Sequence, residues 1–143
     1  MRIFKTRTLA KFTRQHGIDD AALVEAVDRA KRGLIDADLG GKVIKQRVAR
    51  PGQGKRSGFR MLIGFGSDRA VYLFAFAKNE RENISNGELF TLREIAASFL
   101  GANKEKIDQA INDGTLIDVH DGNESKKEGK DQSARKGAAG NGA

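Results

Sequence analysis

The chain has no cysteine among its 143 residues. Disulfide scaffolds, thiolate zinc sites and thiol catalysis are therefore excluded. Its two histidines, His16 and His120, are far apart, and neither has a carboxylate at ligand spacing. No metal centre or Ser-His-Asp arrangement is visible, and no cofactor is expected. No apolar run approaches the ~20 residues needed to cross a bilayer. The N-terminal stretch MRIFKTRTLAKF is too polar for the core of a secretory signal. A cytoplasmic protein follows, with no membrane and no small-molecule cofactor among its partners. One further absence is local: from Lys42 to Arg60 there is no acidic residue.

That same stretch holds seven basic ones: Lys42, Lys45, Arg47, Arg50, Lys55, Arg56 and Arg60. The chain carries a net charge of +7, unevenly spread. Residues 1–87 have 18 basic and 9 acidic side chains, whereas residues 88–143 have 8 and 10. The excess positive charge belongs to the first part of the fold and points to a polyanionic partner, nucleic acid or an acidic protein.

Periodicity lays out the elements. Arg2–Lys5 reads as a short strand, and a helix with Leu9 and Phe12 runs from Thr6 to a stop at Gly17. Asp19 is placed to cap a second helix carrying Leu23, Ala26, Val27 and Ala30, with Gly33 ending it. Lys42–Val48 and Phe59–Phe65 alternate as strands do, and Ala70–Lys78 is nearly all apolar, as a strand covered on both faces would be. Strict alternation in the last run puts Tyr72, Phe74, Phe76 and Lys78 on one side. The four-residue link Gly66–Arg69 suits a hairpin. Leu34–Leu39 reads as a further edge strand, and Ala49–Gly58 as a Gly-rich basic loop. Ser85 with Glu88, or Thr91 with Glu94, forms a capping box for a third helix; Asn103 caps a fourth, and Leu116–Val119 adds a small strand. From His120 onward the composition is too polar to offset its ordering entropy, which predicts a disordered tail over 120–143 and a single domain over 1–119.

Most short motifs resolve to nothing. Gly54-Lys55 lacks the distant glycine and the following Ser or Thr of a P-loop, since Ala49 and Arg56 stand there. Asp36 and Asp38 share a strand side, but without an apolar pocket they read as a solvated acidic edge. The basic cluster is different. Lys45 and Arg47 share one strand side, and Lys78 ends an otherwise apolar strand. Gathered on one concave face with Arg60, these four would hold a backbone phosphate.

The segment QRVARPGQGKRSGFRMLIGF followed by AVYLFAFAKNERENI resembles the RelE/ParE toxin superfamily, most closely its small RelE- or HigB-like branch, over about residues 1–119. The resemblance implies an α+β fold: two N-terminal helices packed on a small twisted, mostly antiparallel sheet, followed by C-terminal helices. It also implies the toxin of a type II toxin–antitoxin pair, partnered by a cognate antitoxin, the ribosome and mRNA. RelE-like members cleave mRNA without a metal, by attack of a 2′-hydroxyl on the adjacent phosphate. Carried over, Arg60 would stabilise the phosphorane charge, and Lys78 would protonate the leaving oxygen or hold the phosphate. Lys45 or Arg47 occupies the basic strand position, where only the lysine can act as a base. Arg50, Lys55, Arg56 and Arg81 would grip RNA. The Tyr or His common in RelE-like nucleases is replaced here by Asn83-Ile84. That departure leaves open a ParE-like gyrase inhibitor, or an inactive nucleic-acid-binding relative.

Overall fold

The computed structural model describes residues 1–52, 58–78, 80, 81 and 83–120; Lys55, Arg56 and, apart from His120, the tail expected over 120–143 lie outside them. The chain opens on β1 (Arg2–Thr6), then forms α1 (Arg7–His16) and α2 (Asp20–Lys31). There follow β2 (Ala37–Asp38), β3 (Val43–Val48), β4 (Phe59–Phe65) and β5 (Arg69–Ala77), and finally α3 (Asn86–Leu100), α4 (Lys104–Asn112) and β6 (Leu116–Asp118). Each helix start has a side-chain cap that satisfies an otherwise orphaned amide: Thr6 accepts from the Leu9 N–H, Asp19 from Ala22, Ser85 from Glu88 and Asn103 from Lys106. Gly17, at φ +66°, closes α1 in the left-handed conformation that glycine adopts without penalty.

The expectation of two N-terminal helices on a small, mostly antiparallel sheet is overturned. The strands form one six-stranded mixed sheet in the order β2-β3-β4-β5-β1-β6. The chain begins with a strand of that sheet, and β1 lies parallel to β5, with Ile3 opposite Ala70 and Phe4 opposite Val71. On its other side β1 pairs antiparallel with β6. The cause is non-local pairing. Three adjacent strands, β3 to β5, are visible as local patterns, but β1 and β6 join their edge from the two ends of the described chain, and no local period encodes that.

Both faces of the sheet are covered. On one, Leu9 of α1 and Leu23 and Val27 of α2 pack with Ile44, Met61, Ile63 and Tyr72. On the other, Ala96 of α3 and Ile107 of α4 pack with Phe4, Val43, Leu62 and Val71. Helix α3 comes close because Gly64 has no side chain: a Cβ there would lie 3.1 Å from the Ala96 Cβ.

One irregularity governs which side chains meet. Leu62 lies opposite Phe74 and Ile63 opposite Tyr72, so Leu73 is an extra, bulged residue. Strict alternation therefore fails, and Tyr72 does not share a side with Phe74 and Phe76. Tyr72 turns to the α2 face, where its hydroxyl donates to the Leu23 carbonyl at 2.6 Å. Burial pushes this phenol well above its ordinary pKa, so it remains a donor. Phe74 and Phe76 turn to the opposite face, that of Leu62 and Arg60. Tyr72→Phe removes the only hydroxyl in this core contact, and we expect it to lower stability by about 1 kcal/mol, read as a shift in urea midpoint at unchanged slope.

Candidate nucleic-acid interface

The register of β3, β4 and β5 decides which basic residues meet. Arg47 lies directly opposite Arg60, and Arg60 directly opposite Phe76. The neighbouring row is Lys45, Leu62 and Phe74. Lys45, Arg47 and Arg60 thus share one face of the sheet, the face over which α3 begins. Lys78 stands one residue past the end of β5 and is exposed. Arg81, three residues further on, lays its guanidinium over the rings of Phe74 and Phe76, with Cζ 5.6 and 5.8 Å from their centroids. A row Arg47–Arg60–Arg81 therefore runs across three strands, Arg81 reaching it from the chain beyond β5.

Arg60 is the unusual member. It is only 7 % exposed, and its Nη1 has no hydrogen-bond partner among the described residues. No carboxylate forms an ion pair with it there. Desolvation and then the neighbouring Arg47 push its pKa below the ordinary value, while Asp36 pulls the other way; an arginine nonetheless stays charged. A buried cation with an orphaned donor is costly. It is also a spare donor, lying just beneath the surface of the basic face.

Its neighbours are held by named contacts. The backbone of Arg47 is clasped from both sides: its N–H donates to Asp36 Oδ2 at 2.6 Å, and its carbonyl accepts from Arg29 Nη2 at 2.5 Å. The Arg47 side-chain Nε is 3.7 Å from the same Asp36 oxygen. Asp36 is itself fixed by Gln46, which is fully buried: Gln46 Oε1 accepts the Asp36 N–H, and its Nε2 donates to the carbonyls of Ala26 and Leu34. Arg81 makes a two-pronged ion pair with Glu88, at 2.8 and 3.3 Å. Glu88 Oε1 also accepts the Ser85 N–H at 2.9 Å, completing the capping box that starts α3.

The remaining predicted residues fall elsewhere or outside. Arg50 stacks 4.6 Å over the ring of Phe59, a residue of the α1/α2 core and so of the opposite face. His16 rests there too, its ring 4.3 Å from Phe12 and 4.8 Å from Phe59. Lys55 and Arg56 are not among the described residues. Three participants escaped the sequence reading: Asp36, taken for a solvated edge, Glu88, seen only as a helix cap, and Phe76, seen only as core. Asp36 carried no signal beyond its charge. Glu88 carried one, since a capping box seven residues after an arginine brings the two within ion-pair range.

Such a surface offers hydrogen-bond donors and positive charge, and its two carboxylates, Asp36 and Glu88, are both engaged by arginines. Fold and surface together define a small mixed-sheet protein with a basic face. The chain belongs to the RelE toxin family: the family model described as the RelE toxin of the RelE/RelB toxin–antitoxin system matches residues 1–119. It is thus a toxin of a toxin–antitoxin system, with a cognate antitoxin as partner. No curated protein matches the chain. Among the described residues, no helix is long and apolar enough to cross a membrane.

The Glu88 carboxyl is held at about 2 against an ordinary 4.5, first by the Arg81 hydrogen bonds and then by Ser85. Its folded pKa lies below its unfolded one, so the contribution to stability is complete above about 4.5 and is lost as pH falls towards 2. A carboxyl-detected NMR titration should find the Glu88 midpoint below the ordinary carboxylate value, and in Arg81→Ala it should rise but stay below 4.5, because the Ser85 hydrogen bonds remain.

Proposed function

We propose that this toxin is a ribosome-dependent, metal-independent endoribonuclease that cuts mRNA at the Arg47–Arg60 face. The observation that carries the reading is the buried Arg60 guanidinium with its unpartnered Nη1. In the proposed reaction the 2′-hydroxyl of one nucleotide attacks the adjacent phosphorus, forming a phosphorane whose 5′-oxygen then departs. This leaves a 2′,3′-cyclic phosphate and a 5′-hydroxyl. Arg60 donates to the non-bridging oxygens as charge builds on them, and its burial strengthens that interaction relative to water. Arg47 adds a second cation on the same side.

Lys45, one row along on the same face, takes the proton of the 2′-hydroxyl when it is itself unprotonated. Lys78, exposed at the end of β5, delivers a proton to the leaving 5′-oxygen. Neither lysine has a hydrogen bond or ion pair among the described residues, so both are available to a substrate. Arg81 beside the row, Lys55 and Arg56 between β3 and β4, and Arg50 from the opposite face of the sheet supply backbone grip on the message or the ribosomal RNA. The same family fold serves gyrase inhibition in ParE-like relatives, and the missing Tyr or His near Ile84 keeps that as the alternative.

Induction of the wild-type chain should arrest growth, and primer extension on translated message should show new 5′ ends only when ribosomes are present. Arg60→Ala should lower the cleavage rate by about 10²–10³-fold, the cost of deleting a donor to a developing oxyanion. Lys78→Ala should also relieve arrest. Arrest that survives both substitutions, or DNA breakage in place of message cleavage, would identify the gyrase-directed alternative.

A further inference from the structure

We infer that Asp36 and Glu88 act as built-in stand-ins for phosphate, each holding one outer arginine of the Arg47–Arg60–Arg81 row until an RNA phosphodiester displaces it. The inference rests on the reading that this row binds RNA.

The two carboxylates are alike in one respect that matters. Each has a backbone donor that does not leave with the arginine. Asp36 Oδ2 keeps the Arg47 N–H at 2.6 Å, whereas the Arg47 Nε is 3.7 Å away, beyond hydrogen-bond range. Glu88 Oε1 keeps the Ser85 N–H at 2.9 Å when Arg81 departs. Neither carboxylate is stranded by the exchange, and neither β3 nor the start of α3 must move. Each pair is also partly exposed, with side-chain accessibilities of 49 and 30 % for Arg47 and Asp36 and 39 % for both Arg81 and Glu88. Ion pairs in such positions are held weakly, by about 0–1 kcal/mol. A phosphate can therefore replace them at little cost.

The central arginine differs. Arg60 has no carboxylate among the described residues and a free Nη1. A phosphate that reaches Arg60 breaks no ion pair there, and the flanking arginines then swing from carboxylate to phosphate on either side. The acids restrain the row until a strand long enough to occupy all three positions arrives. They thereby favour a chain of phosphates over a single free anion.

The exchange has a signature in salt dependence. When an arginine leaves its carboxylate for a phosphate, the RNA gives up a condensed cation but the uncovered carboxylate draws one back. Removing the internal carboxylate leaves that release uncompensated. The measurement uses the full chain and a short, single-stranded, fluorescein-labelled oligoribonucleotide, 2′-O-methylated throughout to block cleavage. Binding is followed by anisotropy across a series of salt concentrations. Asp36→Asn and Glu88→Gln each keep an acceptor for the backbone N–H while losing the charge. Each should bind about two- to fivefold tighter at low salt, the value of a surface ion pair removed from the competition. Each should steepen the slope of log affinity against log salt by about 0.7, one released ion on a single strand. The two effects should add in the double variant.

Because Asp36 and Glu88 sit on different elements, misfolding of one variant leaves the other to decide. If wild type binds in an Arg60-dependent way but both variants show an unchanged slope, or bind more weakly, the carboxylates merely brace the fold and the inference is overturned. If wild type does not bind, or Arg60→Ala binds equally well, the row is not an RNA site, and the functional reading fails together with the inference.

Discussion

Like charges set opposite each other on neighbouring strands repel, and Arg47 and Arg60 are such a pair. Burying one of them raises the cost further, because its hydration is lost and one of its nitrogens has no protein partner in exchange. Much of the surrounding structure reads as a response to that strain. Gln46, buried beneath β3, has its amide used in three directions and pins the segment at 34–36 against the strand. That segment delivers Asp36 to Arg47. On the other flank Arg29, braced by Glu25 on the same helix, holds the Arg47 carbonyl. Helix α2, buried along its apolar side, thus also steadies the edge of the basic face from below.

The sheet is used asymmetrically. The face under α1 and α2 is apolar, and its buried Tyr72 and Thr13 hydroxyls and Gln46 amide are all satisfied. The other face is shared. Helix α3 crosses β3, β4 and β5 at the Val43–Gly64 end and α4 lies against β6, while the guanidinium row occupies the other end of β3 and β4. Glu88 marks the boundary, since it belongs at once to the first turn of α3 and to the Arg81 ion pair. Strand length makes this division possible, because Arg47 and Arg60 lie four residues along β3 and β4 from the Val43–Gly64 pair under α3.

Local chemistry was legible in the amino-acid order. Asp19 and Asn103 cap the helices assigned to them, Gly17 closes α1, and Phe59–Phe65 is a strand over the span that alternation marks. Of the two capping boxes available to α3, the one at Ser85 forms. The acid-free run from Lys42 to Arg60 does place Lys45, Arg47 and Arg60 on one face. What could not be read were relations between distant segments: the parallel union of β1 with β5, the arrival of Asp36 at Arg47, and the depth to which Arg60 is buried. Arg50 was grouped with the phosphate contacts because loop position gives no facing, and its stacking on Phe59 puts it on the other side. The alternation of β5 misled for a specific reason. An apolar run reads the same with or without an extra residue, so the bulge at Leu73 leaves no trace in composition.

That single surplus residue works as a parity switch. Strict alternation counted from Tyr72 would send Phe76 to the α1/α2 face, away from Arg60. Taken up as a bulge, Leu73 lets Phe76 stand opposite Arg60 instead. Loss of that residue would straighten the strand and keep the same cross-strand partners. A gain or loss that no bulge takes up would turn the second half of the strand over, keeping the overall charge while presenting a different surface. Strand length, counted odd or even, is then a trait on which divergence between activities within one architecture can turn.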